Sequence, residues 1–388
     1  MTGTTTHPPT TGGSALLDVF EPIPVEVVRG EGVYVFGADG RRYLDLYGGH
    51  AVALLGYGHP ALVEALDRQA RTLFFQTNAV SLAVRERAAT ALVRFGPPGL
   101  SRAFFVNSGA EANENALRIA FLAPGRRRVV AVAGAFHGRT AAAGALTAGH
   151  ERWYAFPAEP FPVTVVPFDE VAALDEAIGE DVAAMIVEPV QGVAGARALS
   201  RAFLARAREL TAERGAVLVF DEVQCGMGRT GYPFAAQAHG ITPDLLTVAK
   251  GLGGGFPVAA VLVSGTLAGK VAKGALGTTF GGGPMAMALV EAVIEAIERE
   301  QLLPRVRRLS ARLQRECITG PVEGVQGMGL LLGLRTRPPA KEVLAALRER
   351  SVLAGGSADL HVVRLLPPLI LEDAHVDELV VALREIRC

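Results

Sequence analysis

The sequence has almost no net charge and few cysteines. The first argues against certain partners and the second against certain kinds of structural site. Its formal net charge of −1 over 388 residues gives no electrostatic reason to expect nucleic acid or an anionic membrane as a partner. Its three cysteines, Cys225, Cys317 and Cys388, show no CxxC spacing and leave one unpaired, so neither a disulfide framework nor a zinc site is predicted. This pattern favours a reducing compartment, and we predict a cytoplasmic protein.

The chain also lacks a recognisable targeting or membrane segment. Residues 1–14 are polar and rich in Thr, Gly and Pro, with no basic segment followed by an apolar one, so they predict a disordered tail. The uncharged span at 251–269 is long enough to suggest a membrane helix. Its glycines and Pro257 instead predict a glycine loop followed by a buried strand, PVAAVLVSG.

Short apolar runs alternate with amphipathic stretches of helix length from about residue 100 onward. This alternation is typical of an α/β fold with a mostly parallel sheet and helices on both faces. From residue 285 a long helical stretch leads into shorter strands and helices, which predicts a separate α+β domain. We predict a large domain at 56–284 and a small domain built from 15–55 and 285–388.

Two charged residues, Asp221 and Lys250, each follow a strand-like apolar run, AVLVF and LLTVA. Ligands of open α/β sheets bind at the carboxyl ends of the strands, where a carboxylate and an amine would face one crevice. Pyridoxal phosphate needs this pair, a lysine for its aldehyde and an acid for its ring nitrogen. The alternative is a turn-capping aspartate and a solvated lysine, but the glycines that follow Lys250 favour a ligand.

Further candidates lie at two predicted turns between strand and helix. Ser108, Gly109 and Ala110 begin a predicted helix, whose free N–H groups could bind a phosphate; the alternative is an ordinary serine N-cap. Phe136 could stack on a flat heterocycle and Arg139 could bind a carboxylate. Their alternatives are a core aromatic and a surface ion pair.

The motifs NSGAEANE, FHGRT, FDEVQCGMGRTG and AKGLGGGFP occur in an order that resembles the class III aminotransferases, and the likeness runs from about Arg29 to the end. Within this family the acetylornithine, succinylornithine and ornithine group is the most similar. The resemblance implies the fold type I of pyridoxal phosphate enzymes, a homodimer with shared active sites, and 2-oxoglutarate as amino acceptor. FDEVQCGMGRTG also contains a GxGxxG pattern, a weak indication of an NAD-binding dehydrogenase.

The resemblance also implies a role for each residue of the cofactor site. Lys250 would form the Schiff base and act as the proton-transferring group, and Asp221 would pair with the ring nitrogen. Gln224 would bind the ring hydroxyl, while Val223 and Phe136 would lie on the two faces of the ring.

The remaining implied roles concern the phosphate and the substrates. The turn at 108–110 would bind the phosphate, which Thr279 would reach from the other subunit. Arg139 would bind a substrate carboxylate and Arg364 the α-carboxylate of glutamate. Arg364 also lies in an apolar strand, so it should have a partner or a ligand. For His50, a substrate contact and a purely structural role stay equally open.

The sequence departs from the family pattern at several positions. Val193 stands where ornithine-type enzymes have a Glu that pairs with the arginine at position 364 and keeps it from the substrate during the terminal-amine half-reaction. The other departures are Phe20 for Tyr, Ala53 for Asn and Gly283 for Asn.

The first hypothesis is transfer of the terminal amine of N-acetylornithine, or a close acylornithine analogue, to 2-oxoglutarate. Ornithine, a carrier-linked lysine or 4-aminobutyrate is the alternative donor. A non-catalytic protein that binds pyridoxal phosphate is the alternative of a different class.

Overall fold

The strands and helices are taken from a computed structural model that describes residues 15–122 and 125–387, so the predicted disordered tail at 1–14 lies outside the described residues. The described strands are β1 (Val27–Glu31), β2 (Tyr34–Gly37), β3 (Arg42–Asp45), β4 (Leu100–Val106), β5 (Arg128–Val132), β6 (Val163–Val166), β7 (Val182–Val187), β8 (Val190–Gln191), β9 (Arg197–Ala198), β10 (Val217–Asp221), β11 (Leu245–Val248), β12 (Ala259–Ser264), β13 (Val322–Met328), β14 (Leu331–Thr336), β15 (Val352–Leu353) and β16 (Val362–Leu365). The described helices are α1 (Gly48–Ala51), α2 (Pro60–Thr72), α3 (Ala83–Phe95), α4 (Gly109–Ala120), α5 (Ala141–Ala145), α6 (Ala172–Ala177), α7 (Arg201–Arg214), α8 (Ala235–His239), α9 (Gly265–Ala268), α10 (Pro284–Arg299), α11 (Leu302–Glu316), α12 (Ala340–Glu349) and α13 (Asp373–Arg384). Short 3-10 turns occur at 150–152 and 250–253.

The central sheet has seven strands in the order β4-β12-β11-β10-β7-β5-β6. Strands β11, β10, β7, β5 and β6 pair in parallel, whereas β12 is antiparallel to both of its neighbours. Every residue of β7 and β10 is buried, as expected for strands that are covered on both faces. The predicted mostly parallel sheet is therefore present, with one reversed strand.

Successive residues of β10 belong to two different parts of the core. Leu218 and Phe220 pack in the same cluster as the apolar face of α7, while Val217 and Val219 pack with α4. Side chains alternate between the faces of a strand, so these two helices cover opposite faces. The sheet is thereby enclosed, and its strand ends are the places left for a ligand.

Several elements form where their end signals predict them. Helix α2 begins at Pro60, which occupies its first turn, a position where the missing N–H of proline costs nothing. Helix α7 begins after Ser200, whose hydroxyl accepts the Phe203 N–H, and ends at Gly215 in the left-handed conformation. Asp39 and Gly40, a pair typical of hairpin turns, lie between the antiparallel strands β2 and β3.

The long helical stretch predicted after residue 285 is divided into two helices, α10 and α11. The break falls at Gln301, which has a φ of 53°, a conformation that cannot continue a right-handed helix. The apolar pattern runs through the break, because residues on both sides of it face the same core. Periodicity alone therefore gave no sign of the division.

The two ends of the chain meet in a four-stranded sheet of order β1-β2-β3-β15. In it β15 pairs in parallel with β3, with Val352 opposite Leu44. Helix α10 packs against α2 and α3 as well as α11. The division into domains at 56–284 and at 15–55 with 285–388 stays a prediction.

Among the residues that the structure describes, no helix has the length and apolar character needed to cross a membrane. The uncharged span at 251–269 that suggested one instead contains the turn at 250–253 and strand β12. The sequence prediction of a glycine loop followed by a buried strand is confirmed, since β12 is buried over nearly its whole length.

Candidate active site

Neighbouring strands of the sheet bring Asp221 and Lys250 together. Asp221 is the last residue of β10 and lies opposite Thr247 of β11, and Lys250 is the second residue after β11. Both residues line one cavity of about 480 Å³, a volume within the range of small-ligand sites. Lys250 has a φ of 48°, a left-handed conformation that is uncommon for residues other than glycine and is concentrated at functional sites.

The carboxylate of Asp221 is buried, and both of its oxygens accept hydrogen bonds. Its Oδ2 accepts hydrogen bonds from Asn113 Nδ2 and His137 Nδ1, each at 2.7 Å, and its Oδ1 accepts the Val223 N–H at 3.0 Å. The Asn113 amide is oriented by Thr247, whose hydroxyl donates to Asn113 Oδ1 at 2.7 Å. These donors fix the orientation of the carboxylate and satisfy its oxygens in a buried position.

Burial and the neighbouring Asp221 carboxylate shift the pKa values of His137 and Lys250. Burial lowers the pKa of His137, but the hydrogen bond and charge of Asp221 outweigh it, so the net pKa of His137 is raised. Burial likewise lowers the pKa of Lys250, against the opposing charges of Asp221 and Glu188. A lowered pKa increases the fraction of neutral amine, the form that acts as a nucleophile or base.

Glu188 is a second buried acid at this cavity. Its Oε1 accepts the Phe136 N–H at 2.8 Å, and burial raises the pKa of Glu188 to about 7, although His137 lowers it. A carboxyl group with such a pKa is partly protonated at neutral pH. Glu188 therefore presents less than a full negative charge to a ligand in the cavity.

The turn at 108–110 is both a helix cap and an open anion site. Ser108 accepts the Glu111 N–H on its hydroxyl at 3.2 Å and donates its own N–H to Glu111 at 3.1 Å, so the serine N-cap that was the alternative reading exists. Gly109 and Ala110 occupy the first turn, where N–H groups have no partner within the helix, and both line the cavity. A cap and a phosphate site are compatible here.

Glycines allow two cofactor-site candidates to approach the backbone closely. A Cβ at Gly109 would lie 2.9 Å from Val223 Cγ1, and one at Gly192 would overlap Gln224 Oε1. Gln224 lines the cavity, and its buried Oε1 has no hydrogen-bond partner among the described residues. An unsatisfied acceptor of this kind is costly unless a ligand or water donates to it.

Arg139 lines the rim of the same cavity and is exposed. Its Cζ lies 5.8 Å from the ring centroids of both Phe136 and Trp153. It makes no ion pair with any described residue, so the surface ion pair considered as its alternative is not observed. The aromatic rings hold the guanidinium by cation–π contacts and leave its donors free for a carboxylate.

Three predicted residues do not line this cavity. Arg364, in β16, is buried and donates from Nε to the Gly356 carbonyl at 2.5 Å and from Nη1 to the Gly192 carbonyl at 3.2 Å. His50 is exposed on part of its surface, and partial desolvation of its ring, followed by the charges of Arg364 and Lys250, lowers its pKa. Thr279 is exposed beside Phe280.

Sequence reasoning missed the groups that hold Asp221 in place, chiefly Asn113 and Thr247. Both are buried polar residues, one in the middle of helix α4 and the other within an apolar strand. Asparagine is unfavourable inside a helix and a buried hydroxyl needs a partner. Their positions were therefore a detectable signal, although the sequence does not say which carboxylate they serve.

The GxGxxG pattern between Gly226 and Gly231 does not form a dinucleotide site. The next helix, α8, begins only at Ala235, whereas the dinucleotide motif must open a helix directly. Side chains of the protein occupy the space beside these glycines, with Phe234 against Gly226 and Arg307 against Gly231.

Arg229, within this pattern, is completely buried and connects the loop after β10 to distant parts of the chain. Its Nη1 donates to the carbonyls of Leu330, at 3.3 Å, and Pro367. Burial lowers the pKa of Arg229 to about 9. The loop that carries Val223 and Gln224 is thereby fixed to the last third of the chain.

Comparisons with known proteins agree with this geometry. Residues 18–386 match the family model described as aminotransferase class III. The chain is 43% identical over 365 residues to the acetylornithine aminotransferase of Mycobacterium bovis, covering 93% of this chain and 91% of that protein. It is 37% identical over 384 residues to the acetylornithine aminotransferase of Methanocaldococcus jannaschii, covering 95% of each.

Solved structures that resemble this fold include those of aminotransferases. The ornithine aminotransferase of Toxoplasma gondii superimposes with a TM-score of 0.89 at 28% identity, covering 96% of this chain and 92% of that one. The acetylornithine aminotransferase of Elizabethkingia anophelis gives a TM-score of 0.85 at 29% identity, covering 95% of each. A second structure of the T. gondii enzyme is described as having partial occupancy of PLP at its active site.

Proposed function

Because the chain belongs to the class III aminotransferases, we propose that it moves the terminal amine of N-acetylornithine, or of a close acylornithine analogue, to 2-oxoglutarate, giving a semialdehyde and glutamate. The family establishes an aminotransferase, and the fold predicted from the sequence is confirmed by the likeness to known aminotransferase structures. The observation that carries the proposal is the pair of Asp221 and Lys250 in one cavity. The donor is inferred from the names of the relatives. A cytoplasmic location stays a prediction.

The cavity fits pyridoxal phosphate, the cofactor that the family implies. It offers an acid for the ring nitrogen in Asp221, an orphan acceptor for the ring hydroxyl in Gln224, and free N–H groups for the phosphate at Gly109 and Ala110. Val223 and Phe136 would lie against the ring. Lys250 is the amine available to hold the aldehyde.

The cofactor would supply an electron sink for the negative charge that develops when a C–H bond of the substrate is broken. Asp221 would serve this chemistry as the partner of the ring nitrogen, and Asn113, His137 and the Val223 N–H hold its carboxylate in place. Lys250 would move the proton at the substrate carbon as general base and acid. Because Lys250 lies in the same cavity as Asp221, it would be held close to the reacting carbon of the substrate.

We propose that the active site is completed by a second copy of the chain. Thr279 does not line the cavity of its own chain, and its neighbour Phe280 is 65% exposed. Phe280 contacts Phe75, with ring centroids 5.2 Å apart, and Phe74 beside it is 68% exposed. Exposed apolar surface of this kind is typical of an interface. Light scattering is expected to give the mass of a dimer, and a monomer that is fully active would contradict the assignment of Thr279.

An active preparation should transfer the amine of N-acetylornithine to 2-oxoglutarate faster than that of ornithine, lysine or 4-aminobutyrate. The measurement is glutamate formation with each donor at equal concentration. A higher rate with one of the other three donors would replace N-acetylornithine by that donor. Absence of transfer from every donor, with cofactor bound, would favour the non-catalytic alternative.

Replacement of Arg139 by alanine should reduce kcat/KM for acylornithine and for glutamate alike, by about 100-fold. The reason is the loss of a two-point, charge-assisted hydrogen bond to a substrate carboxylate. Steady-state kinetics with each donor measures the effect. A matched control is Arg197→Ala, since Arg197 is also exposed and rests 3.7 Å from the ring centroid of Phe168. Unchanged kinetics in the Arg139 variant would remove it from the site.

The substitution Val193→Glu should shift the preference toward terminal amines. Val193 lines the cavity and follows Gly192, whose carbonyl accepts from Arg364, so a carboxylate here can pair with the guanidinium. We expect the ratio of terminal-amine to α-amine turnover to rise about tenfold, the value of one charged hydrogen bond. Val193→Gln, which has the size but not the charge, is the control. An equal ratio in the two variants would show that charge at position 193 does not control Arg364.

A further inference from the structure

A polar pair, Tyr47 and His50, lies beside Arg364. The Tyr47 hydroxyl is 2.5 Å from His50 Nδ1, and the two rings have centroids 4.6 Å apart. Arg364 Cζ lies 6.0 Å from the centroid of the Tyr47 ring. A phenol, an imidazole and a guanidinium are thus placed together.

Arg364 keeps hydrogen-bonding capacity in this position. Backbone carbonyls of Gly356 and Gly192 accept from its Nε and Nη1. Within residues 15–122 and 125–387 it makes no ion pair with an acidic side chain. A guanidinium carries five N–H donors, so donors remain for the carboxylate of a substrate.

The backbone and its packing fix the two members of the pair. The Tyr47 ring packs so closely on Gly355 that a Cβ at that glycine would overlap it, and the Tyr47 N–H donates to Asp45 Oδ1 at 2.9 Å. His50 has a φ of 63°, a left-handed conformation that persists in a residue with a side chain only where its surroundings impose it. The hydroxyl of Tyr47 therefore has a defined position relative to Arg364.

The pair also belongs to the electrostatic environment of the active site. The charges of both Arg364 and Lys250 contribute to lowering the pKa of His50, after burial. Tyr47 and His50 line a second cavity of about 910 Å³, together with Gly355 and Gly356. One wall of this cavity is thus the backbone that holds Arg364. Arg364 also interacts directly with the Tyr47 side chain, so a carboxylate bound by Arg364 would lie near the Tyr47 hydroxyl.

We propose that Tyr47, oriented by His50, is a specificity-determining residue whose hydroxyl donates a hydrogen bond to the substrate carboxylate that Arg364 binds. With the His50 tautomer that carries its proton on Nδ1, the imidazole donates to the phenol oxygen, and the phenol proton is free for the carboxylate. Arg364 and Tyr47 then recognise glutamate and 2-oxoglutarate together. The inference rests on the proposed function, because it assigns the α-carboxylate of these substrates to Arg364.

The test is the affinity of the holoenzyme for 2-oxoglutarate and its KM for glutamate in variants of the pair. Tyr47→Phe keeps the ring and removes the hydroxyl. It should lower the affinity for 2-oxoglutarate and raise the KM for glutamate, each about tenfold or more, which is the effect of one hydrogen bond to a charged group. Turnover at saturating glutamate and kcat/KM for the terminal-amine donor should stay within about twofold. His50→Ala should resemble Tyr47→Phe.

His50→Asn provides the rescue variant. Asparagine tolerates left-handed backbone and its amide can donate to the phenol oxygen, so dicarboxylate affinity should return most of the way to that of the parent protein. Equal losses for glutamate and for the terminal-amine donor, or no loss for either, in Tyr47→Phe would overturn the proposal. Calorimetric titration with 2-oxoglutarate does not depend on turnover. It therefore decides the role of Tyr47 even if the parent protein fails to accept acylornithine, an outcome that would contradict only the proposed donor.

Discussion

Replacement of Lys250 by alanine is expected to reduce turnover by a factor of about 10² to 10⁴, the usual contribution of a positioned acid–base group. Lys250 is the described amine that lies beside Asp221 in the cavity, and its pKa is lowered by burial. The variant loses both the attachment point of the cofactor and the group that moves the substrate proton. No other side chain that lines the cavity is a primary amine.

One measurement reports on the loss of the cofactor attachment alone. Borohydride reduction followed by mass spectrometry should detect a cofactor adduct at position 250 in the parent protein and none in Lys250→Ala. Lys270→Ala is the matched control, because Lys270 is exposed and lies outside the cavity. An adduct that persists in Lys250→Ala, or a parent protein that binds no pyridoxal phosphate, would refute the assignment.

Replacement of Asp221 by asparagine is expected to weaken cofactor retention by roughly 10- to 100-fold, the value of one hydrogen bond between charged groups. Turnover should fall as well, because the ring nitrogen loses the acid that keeps it protonated. The amide also presents N–H donors toward Asn113 or His137, which already donate to Asp221. The imidazole of His137 would then lose the partner that raises its pKa.

Asp244→Asn is the control for the structural part of this loss. Asp244 precedes β11 and accepts the Leu218 N–H at 2.9 Å and Arg208 at 2.8 Å, so it is an engaged aspartate of the same sheet outside the cavity. Thermal unfolding of both variants measures their stability, and the visible absorbance of bound cofactor measures its protonation. A loss of stability in Asp221→Asn with an unchanged spectrum and unchanged turnover would make Asp221 a structural residue only.

Local signals predicted much of the fold because they act over a few residues. Proline at the start of α2 and glycine at the end of α7 have the same effect in any context. The direction of β12 could not be predicted, since an apolar run reads the same in a parallel or antiparallel strand. The break at Gln301 could not be predicted either, because both helices place apolar residues against one core and the apolar pattern continues across the break.

For the site, the sequence predicted the residues that end strands and missed those that support them. Asp221 and Lys250 are recognisable because a charge that closes an apolar run is unusual. The support of Asp221 comes from Asn113, 108 residues earlier, and from His137, 84 residues earlier. Pairings at such separations depend on the order of strands in the sheet, which local patterns do not contain.

The burial of Arg229 has a consequence for how the protein matures as it leaves the ribosome. Its guanidinium holds two carbonyls, 101 and 138 residues further along the chain. A nascent polypeptide that has emerged only through α10 contains every proposed phosphate and ring contact of its own subunit, but neither of these anchors. Capture of the vitamin B6 cofactor should therefore come late in biosynthesis, after nearly all of the chain has been released.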